Sequence, residues 1–159
     1  MDAELLQKAP KVVLHDHLDG GLRPETIVEL AEENNYQDLP TTDVKKLSEW
    51  FHRGADRRDL SLYLETFQHT VGVMQTTDAC YRVAAECAED LATDGVVYAE
   101  VRYAPSLMTN EASSLDEVIE ATTAGFAEGS KNSNLTIGTL ITAMRTANDS
   151  IEIAEAAVR

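Results

Sequence analysis

At 159 residues, with 43% hydrophobic and 26% charged side chains, the chain has the composition of a globular domain that buries a core, which excludes intrinsic disorder. Its formal net charge of −15 argues against nucleic acid and anionic membranes as partners, because both require a basic face, and solubility is the plain reading of that charge. Met1-Asp2-Ala3-Glu4 lacks the basic region and apolar run of a signal peptide, and no stretch approaches a membrane span in length, so the expected location is cytoplasmic.

The first element in chain order is the apolar run Val12, Val13 and Leu14, which ends in His15-Asp16-His17-Leu18-Asp19-Gly20-Gly21. β-Formers followed by a glycine turn signal predict a strand over about 12–18. Side chains alternate along a strand, so His15 and His17 are expected on one face, one pleat apart, at its C-terminal end. Neutral imidazoles suit zinc and similar borderline metals, and two of them leave a tetrahedral site half built. A bare His-x-His is a weak signal, as often a surface pair as a ligand pair. The strand feeding the pair and the glycine turn leaving it place it where parallel α/β folds gather their chemistry. Asp19, taken alone, reads as a turn or helix-entry cap.

Pro24 suits the first turn of a helix that carries Ile27, Val28, Leu30 and Ala31 and ends near Asn34-Asn35. Pro40-Thr41-Thr42 is expected to open a second helix, with Val44, Leu47, Trp50 and Phe51, closed by Gly54-Ala55-Asp56. From Asp59, Leu60, Tyr63, Leu64, Phe67 and Val71 recur at helical spacing, for which core packing is the first expectation. Thr76 or Thr77 opens the next helix, with Tyr81, Ala84, Ala88 and Leu91 on its inner face and Gly95 as its stop. Within it, Cys80 and Cys87 lie about 10 Å apart at roughly 1.5 Å rise per residue. That separation is too wide for a disulfide, so they read as core thiols in a reducing compartment.

A strand over Val96 to Tyr103 places Val97, Ala99, Val101 and Tyr103 on one face and Tyr98, Glu100 and Arg102 on the other, where Glu100 and Arg102 are expected to pair. Ser114-Leu115-Asp116-Glu117 has the form of a capping box for a helix through Val118, Ile119, Thr122 and Phe126 to Gly129. Leu135 to Met144 reads as a third strand, and Asp149-Ser150-Ile151-Glu152 opens one more helix. His52 and His69 fall in helices away from the strand ends and read as surface or capping residues. Strands alternating with helices predict a parallel sheet of βα units, and three strands leave two open edges and half a core. No feature of the sequence specifies an oligomeric state.

The run from Pro10 through His15-Asp16-His17-Leu18-Asp19-Gly20-Gly21 to Leu22-Arg23-Pro24 resembles the opening signature of adenosine deaminases, metal-dependent members of the amidohydrolase superfamily. Gly95-Val96-Val97-Tyr98-Ala99-Glu100-Val101-Arg102-Tyr103-Ala104-Pro105 is similar to that family's second barrel strand. The resemblance covers essentially the whole chain but only the N-terminal part of the family's pattern. It implies an α/β fold of the (β/α)8 TIM-barrel type, a fold that takes about 250 residues. Residues 1–159 would supply about the first three βα units of a single metal-dependent deaminase barrel, cut off in the helix after strand three.

The resemblance also implies roles. His15 and His17 would ligate one Zn2+ per complete site, and His17 and Asp19 would reach the ribose 5′-hydroxyl of a purine nucleoside. Gly20 and Gly21 would let the backbone pass close to ligand. The helix bearing Leu60, Tyr63, Leu64 and Phe67 would lid the pocket. The remaining ligands, a glutamate proton shuttle and a histidine beside the attacking water belong to later strands. This chain is therefore expected to hold no catalytic residue and to be inactive by itself. The implied activity of the longer enzyme is zinc-dependent hydrolytic deamination of adenosine, and of 2′-deoxyadenosine, to inosine and ammonia in purine salvage. A base deaminase acting on adenine has a similar first strand, usually with glutamate at the position of Asp19 and without the Leu22-Arg23-Pro24 form, so Asp19 and Arg23 favour the nucleoside. A non-catalytic metal-binding or interaction module is the alternative from another class.

Overall fold

The computed structural model describes residues 3–56 and 58–159; Met1 and Asp2, which belong to the leader reading, lie outside them. Three strands, β1 (Lys11–His17), β2 (Val96–Tyr103) and β3 (Thr136–Ile141), form one parallel sheet in the order β1-β2-β3. Parallel neighbours cannot be joined by hairpins, so the crossovers carry helices. After α1 (Ala3–Lys8) and β1 come α2 (Pro24–Glu33), α3 (Val44–Ala55), α4 (Leu60–Val73) and α5 (Thr77–Thr93), whereas α6 (Leu115–Ser130) links β2 to β3 and α7 (Ser150–Val158) follows.

Local chemistry sets the helix ends. Pro24 occupies the first turn of α2, Thr76 accepts from the Ala79 amide, and Ser114 and Glu117 form the reciprocal capping box at the start of α6. The start of α3 differs from expectation. Asp43, and not Pro40-Thr41-Thr42, is its cap, because the Asp43 carboxylate accepts from the Lys46 amide at 3.0 Å. The sequence also gave no sign of α1, whose six residues are too few to show a periodicity. Lys11 anchors it, reaching the Gln7 carbonyl at 3.2 Å and also Asp94 at the end of α5. Gly95 permits this approach. Its φ is +80°, and a Cβ there would lie 2.5 Å from the Gln7 oxygen.

The core lies between the helices and one face of the sheet. Ala99, Val101 and Tyr103 are buried there with Val83, Ala84, Ala88, Val118 and Phe126. Val97, expected with them, is exposed. Lys11 pairs with Val96 but Val12 pairs with Tyr98, so Val97 is an extra residue that breaks the alternation. Tyr81, expected inside, also points out, because α6 approaches α5 backbone to backbone at Gly125 and Gly129. A Cβ on Gly125 would run into the Tyr81 carbonyl, leaving no room for a ring between the helices. Cys80 and Cys87 are free thiols, and burial pushes them up to about 11 and about 12, as suits packing and not nucleophilic work.

β3 is shorter than the expected 135–144. The Thr142 amide still bonds to the Tyr103 carbonyl at 2.9 Å, but β2 ends at Tyr103 and offers Ala143 and Met144 no further partner. On the second face of the sheet, Val12, Leu14 and Leu140 are exposed. No helix among the described residues is long and apolar enough to cross a membrane.

Candidate active site

β1 ends irregularly. Val13 pairs with Ala99 and Asp16 with Val101, so β1 uses three steps where β2 uses two, and the extra residue forms a bulge. His15 sits in it at φ +64°, a left-handed conformation that a non-glycine residue holds only when its surroundings impose it. The regular one-pleat relation expected for His15 and His17 is therefore replaced by a bulge. The two rings are nevertheless adjacent, with centroids 5.3 Å apart and planes tilted by 53°.

That spacing can be compared with what a shared metal demands. Imidazoles holding one ion tetrahedrally at about 2.1 Å have ring centres roughly 5 Å apart. The pair fits as half of such a centre. Among the described residues no group of three or more His, Cys, Asp or Glu side chains is placed to hold a metal. The His15 Nε2 atom lies 2.7 Å from a guanidinium nitrogen of Arg102. A guanidinium only donates, so Nε2 of His15 is the acceptor and its lone pair is engaged by Arg102 in this arrangement.

This contact corrects the expected Glu100–Arg102 pair. Arg102 instead donates to His15 on β1 and, at 3.0 Å, to the Thr142 hydroxyl beyond β3. Glu100 accepts from the Tyr98 hydroxyl at 3.2 Å.

Beyond His17 the chain makes a 3-10 turn, Leu18–Gly20, anchored by buried Leu18. Asp19 is carried into the interior with only 5% of its surface exposed. Its Oδ1 atom is 3.4 Å from Nδ1 of His17, outside hydrogen-bonding geometry, and it has no hydrogen-bond partner among the described residues. Burial raises the Asp19 pKa, against the pull of His17 and of the Ala104 amide. Asp19 is thus no simple turn cap. It is a buried acceptor with unused capacity.

His17 and Asp19 open onto a cavity of about 400 Å³, of a size suited to a small ligand. Leu60, Tyr63, Leu64, Phe67 and Val71 of α4 line one side, and Arg102, Ala104, Leu107, Thr142 and Met144 the other. The core expectation for the α4 stripe fails at its first three members. Leu60 is 71% exposed, Tyr63 40% and Leu64 53%, because they face the cavity. Phe67 packs edge-on against His17, with centroids 5.8 Å apart.

Arg23 points away from this cavity. It makes a two-nitrogen contact with the Asp90 carboxylate on α5, at 2.9 and 2.7 Å, and adds Glu89, so its place in the sequence signature is structural. His52 is exposed on α3, and His69 of α4 meets the Tyr36 hydroxyl at 3.0 Å and the Trp50 ring; neither reaches the end of β1. Leu107, Thr142 and Met144 were not foreseen as cavity residues. Their only sequence signal was position just past a strand end.

A family model described as Adenosine deaminase matches residues 10–159. Adenosine deaminase 1 of Streptomyces coelicolor is 60% identical over 97% of this chain and 40% of its own length. The adenosine deaminase of Mycobacteroides abscessus is 54% identical over 100% of this chain and 45% of its own. The chain thus spans less than half the length of these relatives. Among solved structures, an amidohydrolase from Burkholderia ambifaria with bound Zn superimposes with a TM-score of 0.81 at 19% identity, over 100% of this chain and 44% of that one. Adenine deaminase from Arthrobacter aurescens gives a TM-score of 0.73 at 26% identity, over 92% and 44%. These are TIM-barrel enzymes, and the chain covers a little under half the length of each.

Proposed function

The chain belongs to the adenosine deaminase family, and on that premise we propose that it forms the N-terminal half of a zinc-dependent enzyme that deaminates adenosine, and 2′-deoxyadenosine, to inosine and ammonia. Bound zinc would lower the pKa of a water to around 7 and so supply hydroxide at neutral pH. His15 would offer Nε2 to the ion in exchange for its bond from Arg102. His17 would add a second ring nitrogen, with the Asp19 carboxylate 3.4 Å from its Nδ1 as a charged neighbour.

The observation that carries the substrate reading is Oδ1 of buried Asp19 at the cavity wall, which has no hydrogen-bond partner among the described residues. A buried acceptor left unpaired is costly, and a ribose 5′-hydroxyl is a donor of the right kind to satisfy it. Leu60, Tyr63, Leu64 and Phe67 would cover the purine, since their apolar surfaces line the same cavity. The exposed Val12, Leu14 and Leu140 suit a sheet face that later barrel strands enclose. With two of four metal ligands, residues 1–159 by themselves would not turn over. The higher identity to adenosine deaminases than to the solved adenine deaminase favours nucleoside over free base, with cytoplasmic purine salvage as the proposed setting.

The test is product analysis on the complete zinc-loaded protein. Inosine and ammonia in equal amounts from adenosine support the reading; turnover of adenine and not of adenosine would replace it with the base deaminase.

A further inference from the structure

α4 does more than line the cavity, because one of its faces is bonded to the turn that carries Asp19. Phe67 and Thr70 stand three apart and so share that face. The Phe67 ring lies so close to Gly20 that a Cβ there would come within 2.9 Å of it. Thr70 is 2% exposed, and its hydroxyl donates to the Asp19 backbone carbonyl at 2.5 Å. A threonine inside a helix ordinarily bonds a carbonyl of its own preceding turn. Thr70 has that option, the Phe67 oxygen at 3.3 Å, but its shorter bond leaves the helix. A hydroxyl has one hydrogen to give, so the two acceptors compete for it.

We propose that Thr70 is a positioning residue that couples α4 to the substrate-binding carboxylate through the backbone of Asp19. The inference rests on Asp19 being the group that receives the nucleoside. Leu60, Tyr63 and Leu64 lie earlier on the same helix, against the cavity. When ligand draws these side chains inward, the Thr70 bond carries the helix's position to the Leu18–Gly20 turn, and so to the carboxylate. Release of the bond to the Phe67 carbonyl lets helix and turn move separately.

The experiment compares Thr70→Val, which keeps the shape and removes the donor, with Thr70→Ser, which keeps the donor, in the complete zinc-loaded enzyme. Thr70→Ala, lacking the same donor without a methyl against the carbonyl, is measured in parallel so that a folded donor-less variant is in hand. The expected result is a KM for adenosine at least fivefold higher in the donor-less variants, with kcat within twofold and zinc content unchanged. Thr70→Ser should stay within twofold of wild type in KM. A KM within twofold of wild type in the donor-less variants, while Asp19→Ala raises it, overturns the coupling and leaves Asp19 in its role. If Asp19→Ala also leaves KM unchanged, the substrate reading fails first and the coupling with it.

Discussion

Asp19→Asn probes the substrate site with little change in volume, and Asp19→Ala removes the acceptor altogether. The carboxylate is 5% exposed and its Oδ1 has no partner among the described residues, so solvent is poorly placed to substitute for a ligand hydroxyl there. A hydrogen bond to a charged group contributes about 1.5–3 kcal/mol, or roughly 10- to 150-fold in kcat/KM. Asparagine retains a neutral acceptor, which places Asp19→Asn near tenfold; alanine retains none, which places Asp19→Ala near a hundredfold, both on the order set by that range. The assay is ammonia release at saturating zinc, with 5′-deoxyadenosine as a substrate that lacks the hydroxyl. Wild type should lose a similar factor with that substrate, and Asp19→Ala should show no further loss. Zinc content should stay at the wild-type level. A kcat/KM for adenosine within twofold of wild type in both variants refutes the assignment, and loss of zinc would give Asp19 a different role.

Two further outcomes concern the scaffold. Gly125→Ala would set a methyl against the Tyr81 carbonyl and 2.9 Å from the Ala84 Cβ, overpacking the α5–α6 interface at a cost of about 1–3 kcal/mol. A lower urea midpoint with unchanged slope is expected, and an unchanged midpoint contradicts that packing. His69 has its pKa lowered by burial, with Asp38 opposing, so the unfolded chain takes up a proton that the folded chain resists. Its neutral state therefore supports folding fully above about pH 6.5, and that support is lost as pH falls from there toward the lowered value. His69→Gln should flatten the fall in thermal midpoint below pH 6.5, and a parallel decline in both proteins would show that His69 is not its source.

Much of the architecture was legible because it is written in local chemistry. Pro24, Thr76, the Ser114–Glu117 box and Gly95 each act within a few residues, and the element order around them follows. Tertiary decisions were not legible. A stripe of Leu60, Tyr63 and Leu64 has the same spacing whether it meets a core or a cavity, and only the packing of α4 beside the end of β1 selects the cavity. The bulge at His15 and the outward place of Val97 arise from the register between β1 and β2, which no pattern along a single strand contains. Arg102 was correctly set on one face with Glu100, opposite the core, yet its partners come from the neighbouring chain segments at His15 and Thr142. The same holds for Arg23, whose match to a family signature said nothing of the α5 carboxylates it holds.

The most direct test of the metal assignment is the zinc content of the complete protein with His15→Ala and, separately, His17→Ala, measured beside adenosine turnover after equilibration with limiting zinc. Two ligands from one strand end predict that each substitution lowers bound zinc and activity together, while circular dichroism remains that of the wild type. Full zinc occupancy in both variants would contradict the account at its centre, because the histidine pair would then have no part in holding the metal.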